Sequence, residues 1–301
     1  MTAQRRIGIL DTAAPDPARL ALWELFEQRL RELGHASAGL RLEFRFAEGR
    51  KERLAPAAAE LVALGAGALV TAGTPAADAA ARTTRTIPIV MATGTALEAD
   101  FAKSPDQRVD NLTGLTDLPP GLSEARLKLL MEALPQACAF SILADRGNPS
   151  SPPAVRETHE AGRRLGVATK DYWISGPGEF DSAFAAMRAD GLSGFAVAPG
   201  AMFFAARTAL AETALRHRLA AMTVRRDYCE AGALISYGAP IEDNYRRAAE
   251  YVDRILRGAK PSELELAPVS TFELFVNRAT ARALGLELPK ELLARAHNAG
   301  G

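Results

Sequence analysis

Short apolar runs alternate with helix-length segments along this chain, twice over, and few folds accommodate that rhythm. Arg6-Ile-Gly-Ile-Leu10 reads as a first strand. A helix opens at Asp16-Pro17 and stops at Gly34, with Leu22, Leu25, Phe26, Leu30 and Leu33 at helical spacing. Residues 40–46 alternate apolar and charged side chains, residues 52–64 read as a second helix, and residues 68–72, 87–92 and 111–116 as further strands. A short irregular helix is expected over 97–102. Pro119-Pro120-Gly121 then interrupts the pattern, and it begins again. Helices over 122–134, 154–165, 179–189 and 202–217 alternate with strands over 137–144, 168–174, 194–198, 220–224 and 233–237, with a turn at Arg226 and Asp227. Strands this short and this continuously apolar belong in parallel sheets covered by helices on both faces.

The tail departs from the repeat. Residues 241–256 form a strongly amphipathic helix carrying Tyr245, Ala248, Ala249, Val252 and Ile255, followed by a strand over 271–276 and a closing helix over 278–284. This is too little for a third domain, so the tail returns to the first lobe and crosses again to the second. The expected architecture is α/β, with two Rossmann-like lobes joined by three crossovers that act as a hinge. Residues 1–117 with 239–264 make one lobe, and 118–238 with 265–301 the other.

Ala68-Leu-Val-Thr-Ala-Gly-Thr-Pro-Ala-Ala-Asp78 shows what such a unit offers a ligand. The strand stops at Gly73 and a helix starts at once, with Thr74 expected as N-cap and Pro75 at the first helical position. Two readings stand: a plain structural cap, or a helix N-terminus whose amides receive a carboxylate. In open α/β sheets ligands sit beyond the carboxyl ends of the strands. Those ends bring together Asp11, Thr12, Thr74, Pro75, Thr93, Gly94, Thr95, Asn148, Ser150, Gly200, Thr223, Arg226, Asp227 and Tyr237. Most are neutral hydrogen-bonding residues, which suits a small polar ligand and gives no general base an obvious partner.

Several functions are excluded on composition and motif. Lys plus Arg and Asp plus Glu each number 36, so no basic excess marks a nucleic-acid or membrane surface. No apolar run approaches the roughly 18 residues of a membrane span. His35, His159, His217 and His297 have no metal-ligand spacing and are expected to be solvated, as are helix-face carboxylates such as Glu24, Glu27, Glu157 and Glu160. There is no nucleophile elbow, no phosphate-binding lysine loop and no dinucleotide fingerprint; Gly65-Ala-Gly67 precedes a strand instead of following one. No catalytic residue, cofactor or metal is expected. Cys138 reads as a buried strand residue, and a disulfide to Cys229 has little support in a chain of this size.

An ordered set of short matches carries a resemblance over nearly the whole chain. Phe46-Ala-Glu-Gly-Arg50, Glu60-Leu-Val-Ala-Leu64, Ala72-Gly-Thr-Pro-Ala-Ala77, Ile87-Pro-Ile-Val90, Asn111-Leu-Thr-Gly-Leu115, Arg126-Leu-Lys-Leu-Leu130, Asn148-Pro-Ser150, Phe203-Phe204, Ser236-Tyr-Gly238 and Leu284-Gly-Leu286 occur in that order. Together they resemble the substrate-binding proteins of ABC importers in the tryptophan/tyrosine-type group, with a type I periplasmic-binding fold. The resemblance implies a monomeric receptor that closes on a small ligand, an amino acid or related carboxylate, and delivers it to a membrane permease. It also implies a periplasmic or lipid-anchored protein with a leader removed; if Met1 is the true start, a cytoplasmic location is expected instead. Three departures stand out. Gly200 and Thr95 occupy positions where the family commonly has an acid, and Asp145-Arg146 replaces the start of an Asn-Pro loop. A ligand ammonium then has Asp11, Asp145 or Asp227 as remaining partners. An intracellular sensor on the same fold, and an enzyme on an α/β scaffold, are the alternatives.

Overall fold

In the computed structural model, residues 5–35, 39–94, 110–116, 119, 121–269 and 271–299 are described. Thr95 and the helix expected over 97–102 lie outside them. In chain order the elements are β1 (Arg5–Asp11), α1 (Pro17–Leu30), β2 (Leu40–Phe46), α2 (Leu54–Ala63), β3 (Ala68–Ala72), α3 (Thr74–Thr83), β4 (Ile89–Thr93) and β5 (Leu112–Thr116). There follow α4 (Leu122–Ala133), β6 (Ala139–Asp145), α5 (Ser151–Leu165), β7 (Ala168–Ile174), α6 (Phe180–Ala189), β8 (Gly194–Val197), α7 (Ala201–Ala205), α8 (Arg207–Arg216), β9 (Ala220–Thr223), α9 (Arg226–Glu230) and β10 (Ile235–Gly238). The tail contributes α10 (Ile241–Leu256), β11 (Ala267–Pro268), β12 (Glu273–Val276), α11 (Arg278–Leu284), α12 (Lys290–Arg295) and β13 (His297–Asn298).

The chain divides into two compact units, Met1–Leu118 with Ile241–Val269 and Pro119–Pro240 with Ser270–Gly301, so it passes between them three times. The first unit holds a six-stranded sheet, β11-β5-β4-β3-β1-β2, parallel throughout. Its strands β3 and β4 are buried along their whole length, as their apolar runs require. The predicted face of α10 is the one it buries: Tyr245, Ala248, Ala249 and Val252 join Ile7, Ile9, Trp23, Phe26, Val70 and Val90 in one core. Trp23 meets Tyr245 edge to face with centroids 4.8 Å apart, a geometry worth about 0.5–1.5 kcal/mol beyond area burial. Asp16 caps α1 by accepting from the Arg19 amide at 2.8 Å, with Pro17 behind it.

The second unit holds a seven-stranded sheet, β13-β12-β10-β9-β8-β6-β7. It is parallel except between β10 and β12, since the tail strand enters from the opposite direction. The tail supplies more than the single strand and helix expected: α12 and β13 extend it, and Leu292 of α12 is buried in the core with Leu127 and Leu130. The helix expected over 202–217 is two helices. At Ala206 the backbone turns to φ −99° and ψ 18°, and Arg207 Nη1 caps the Phe204 carbonyl at 3.0 Å. Asp227, expected in a turn, lies in the short helix α9.

Local packing decides other expectations. His297 is exposed, as expected, while the other three histidines are partly buried against acids. His35 Nε2 lies 2.7 Å from Asp253, His217 Nε2 2.8 Å from Asp181, His159 bridges Thr169 and Asp171, and the His297 ring packs on Phe275. Glu157 accepts from Ser123 Oγ at 2.9 Å. Cys138 is exposed, because β6 starts only at Ala139, while Cys229 is buried; both are free thiols. Burial pushes the Cys229 thiol up to about 12. Since the thiolate is the reactive form, a disulfide-exchange reagent at pH 8 should titrate Cys138 within minutes and Cys229 only after denaturant is added. Two fast-reacting thiols in the folded protein would contradict this placement.

Candidate functional site

The carboxyl ends of the parallel strands gather the candidate residues separately in each unit. In the first unit the arrangement is anchored by Asp11, the last residue of β1, which is fully buried. Arg19 Nε and Nη2 donate to its two oxygens at 2.6 and 2.8 Å, Trp23 Nε1 donates at 2.8 Å, and the Ala13 amide at 2.8 Å. A carboxylate offers about four acceptor positions, and all are used here. Burial works against the Arg19 charge, but Tyr245 and Asp11 more than offset it and hold its pKa above the ordinary arginine value. Asp11 therefore has nothing left for a ligand amine. It shapes the strand end and, contrary to expectation, is not placed to receive a ligand directly.

Thr12 continues the same turn. Its hydroxyl and amide both donate to the Ala72 carbonyl, at 3.1 and 3.2 Å, clamping β1 to the end of β3. Gly73 then has φ 96°, and a Cβ on it would sit 2.6 Å from Thr12 Oγ1, so only glycine closes this turn. The consequence is a shift of one residue in the expected cap. Gly73 is the N-cap of α3, Thr74 is the first helical residue and Pro75 the second. Pro75 has no N–H, and the Ala76 and Ala77 amides both bond back to the Gly73 carbonyl, at 3.0 and 3.2 Å. Thr93, whose carbonyl accepts from the Gly73 amide at 2.9 Å, and Gly94 complete the rim. A Cβ on Gly94 would lie 3.1 Å from Thr74 Oγ1. Thr74, Thr93 and Gly94 are thus brought together, with Pro75 half-buried beside them.

In the second unit Asn148 is the organiser. Its Nδ2 donates to the Pro199 carbonyl at 2.8 Å and its Oδ1 accepts from the Ser150 amide at 3.1 Å. A Cβ on Gly200 would lie 3.2 Å from Asn148 Nδ2, so Asn148 and Gly200 are packed together. Helix α5 presents no free amides: Ser151 N bonds to Asn148 O, Pro152 and Pro153 have none, and Ala154 N bonds to Ser150 O. Ser151, not singled out by the sequence, has a buried hydroxyl without a hydrogen-bond partner among the described residues. Asp145 accepts from the Gly147 amide at 2.8 Å. Tyr237 gives its carbonyl to Arg126 Nε at 2.8 Å while its ring packs against Phe272.

Two candidates are displaced. The Thr223 hydroxyl is fully buried and donates to the Ile235 carbonyl at 3.0 Å, joining β9 to β10. Arg226 is exposed and pairs with Glu230 one helical turn on. The preceding residue holds the better position. Arg225, in extended conformation as N-cap of α9, lies 4.1 Å over the Phe204 ring and donates from Nε and Nη2 to Asp227 Oδ2 at 3.1 and 2.8 Å. Arg207 lies 4.6 Å from the same ring centre. Among the described residues no group of three or more His, Cys, Asp or Glu side chains is placed to hold a metal ion, and no helix is long and apolar enough to cross a membrane.

The sequence model described as "ABC transporter substrate binding protein" matches residues 9–299. The chain belongs to that family. A comparison with curated proteins gives no match. Solved structures bear out the type I periplasmic-binding architecture. An ABC domain from Streptococcus pneumonia in complex with L-Trp has a TM-score of 0.89 at 20% identity, covering 99% of this chain and 100% of that one. A conserved domain protein from Vibrio cholerae has a TM-score of 0.89 at 23% identity, covering 98% and 99%. The ligand-free, open structure of a substrate-binding protein with adhesive properties from Clostridium difficile has a TM-score of 0.71 at 19% identity, covering 98% and 99%. Substrate-binding proteins of this family hold small molecules and work with ABC permeases.

The buried Asp11 network gives a sharp stability test. Asp11→Ala leaves the Arg19 charge buried and unpaired, and should cost about 3–5 kcal/mol in denaturant unfolding. Replacing both residues, as Asp11→Asn with Arg19→Met, should cost less than Asp11→Ala alone. A single variant within about 0.5 kcal/mol of the parent would contradict the pairing.

Proposed function

We propose that this chain is the solute receptor of an ABC importer, a non-enzymatic protein whose two units close as lobes on a small polar ligand and pass it to a membrane permease outside the cytoplasm. The observation that carries this reading is the chemistry of the two strand-end rims. Thr74, Thr93 and Gly94 on one, and Asn148, Ser150, Gly200 and Tyr237 on the other, offer hydrogen bonds and little charge, with Pro75 supplying apolar contact. That composition suits binding by desolvated hydrogen bonds within a closed cleft, and it provides no base–nucleophile pair for turnover.

The ligand class is an amino acid or a related small carboxylate. The L-Trp complex of the pneumococcal relative supports it. The paired state of the acids refines it. Asp11 is saturated by Arg19, and Asp227 is held by Arg225, so a ligand ammonium finds only partly committed partners. With α5 closed off by its prolines and the Ala76 and Ala77 amides bonded to Gly73, recognition rests on side chains.

Thermal-shift and calorimetric titration of the purified protein against amino acids, small carboxylates, purines and sugars tests this. One class should stabilise the protein progressively, by about 2.7 kcal/mol when free ligand reaches 100 times Kd. Thr74→Glu, which places a negative charge in the first rim, should abolish binding of that class in a variant shown by circular dichroism to be folded. Indifference to the entire panel, or full affinity in the Thr74→Glu variant, would overturn the assignment.

A further inference from the structure

At the carboxyl ends of β8 and β9, two guanidinium groups share one aromatic ring. The Phe204 ring is almost entirely buried, and the Arg225 and Arg207 guanidinium carbons lie 4.1 and 4.6 Å from its centre. A ring face attracts cations and fixes the planar guanidinium in orientation. Asp227 is the only carboxylate that hydrogen-bonds to this pair among the described residues, and it engages Arg225 alone. Arg207 spends Nη1 on the Phe204 carbonyl, while Nε and Nη2, the edge that matches a carboxylate in a two-point contact, make no hydrogen bond among the described residues. One positive charge is therefore uncompensated. The Arg225 and Asp227 side chains retain only 17% and 30% exposure, so charge interactions here are less screened than on an open surface.

The place of this pair matters as much as its charge. Phe204 N bonds to the Gly200 carbonyl at 3.1 Å, and Gly200 packs on Asn148, so the arginines continue the rim already described in the second unit. A side chain that merely props up a loop would be expected to use its donors on that loop. Arg207 keeps its paired donor edge free, held on an aromatic support.

We propose that Arg207, backed by Arg225 on the Phe204 ring, takes an oxyanion of the ligand, a carboxylate in the first instance, and that Asp227 is its internal competitor. The inference rests on the receptor reading and narrows it: the preferred ligands carry net negative charge and are not zwitterionic. Loss of the ligand ammonium is tolerated, because Asp11 and Asp227 are already engaged by arginines, whereas loss of the carboxylate is not.

The test is a calorimetric titration of the intact protein with matched probes: indole-3-propionate, its primary amide, tryptamine and L-tryptophan, the same four chemistries on a phenyl and an isobutyl body, and inorganic phosphate. The acid should bind at least about tenfold tighter than its amide on the best body. Arg207→Gln should reduce that preference to near parity, and Asp227→Asn should raise acid affinity by freeing Arg225. The Asp227→Asn gain has a sign that a purely structural role would not produce, and it decides the matter even if Arg207→Gln fails to fold. Phosphate binding without any carboxylate binding would overturn the carboxylate assignment. Amide or amine bound as tightly as acid, with the arginine variant unaffected, would overturn the proposal and leave the receptor reading standing. No binding by any probe would overturn both.

Discussion

A buried ion pair sets the geometry of the first unit. Asp11 ends β1 in a place where no water reaches it, and an unpaired carboxylate there would carry a large desolvation cost. Arg19 and Trp23, both on α1, answer it together with the backbone of Ala13. That demand fixes where α1 starts, how it lies against β1, and how the chain turns after the strand. Thr12, the next residue, is thereby held over Gly73, and Gly73 in turn determines that α3 begins at Thr74. Arg19 also lies 5.6 Å over the Tyr245 ring, so the same pair seats the tail helix α10. Such a pair need not raise net stability compared with an apolar core, but breaking half of it is costly.

Proline placement gives the rims their character. A helix N-terminus ordinarily presents several unsatisfied amides to an anion. Here Pro75 removes one in α3 and two more bond to Gly73, while Pro152 and Pro153 remove two in α5. Side chains must then do what backbone amides commonly do, and the neutral hydroxyls and amide of Thr74, Thr93, Asn148 and Ser150 are suited to it. Positive charge enters through Arg207 and Arg225, held on Phe204 instead of on a helix end. The two rims differ accordingly: the acid of the first is paired internally, and the second includes Arg207, whose Nε and Nη2 make no hydrogen bond among the described residues.

Much of the architecture was legible because burial on both faces forces near-continuous apolar runs, as in β3 and β4, and because α10 repeats its buried residues at helical spacing. What escaped were features decided by partners remote in sequence or by a single dihedral. Asp11 looks like any polar strand end until Arg19 and Trp23 fold back on it. The one-residue shift at Thr74 depends on φ of Gly73. Arg225 and Arg226 are indistinguishable as sequence, yet an extended backbone at the first of them sends it to Phe204 while the second joins Glu230. Cys138 is exposed although it adjoins an apolar run, because the strand starts one residue later, at Ala139. The short tail elements α12 and β13 have too few residues for their periodicity to be read.

The proposed receptor function requires one small ligand to be held by the strand ends of both units at once, and solution X-ray scattering of the protein with and without a ligand shown by calorimetry to saturate it tests that requirement. Closure of two lobes on a shared ligand predicts a smaller radius of gyration in the saturated sample, with the change following the binding isotherm. A radius of gyration unchanged at saturation would mean that the ligand is held by one unit alone, and would contradict the account.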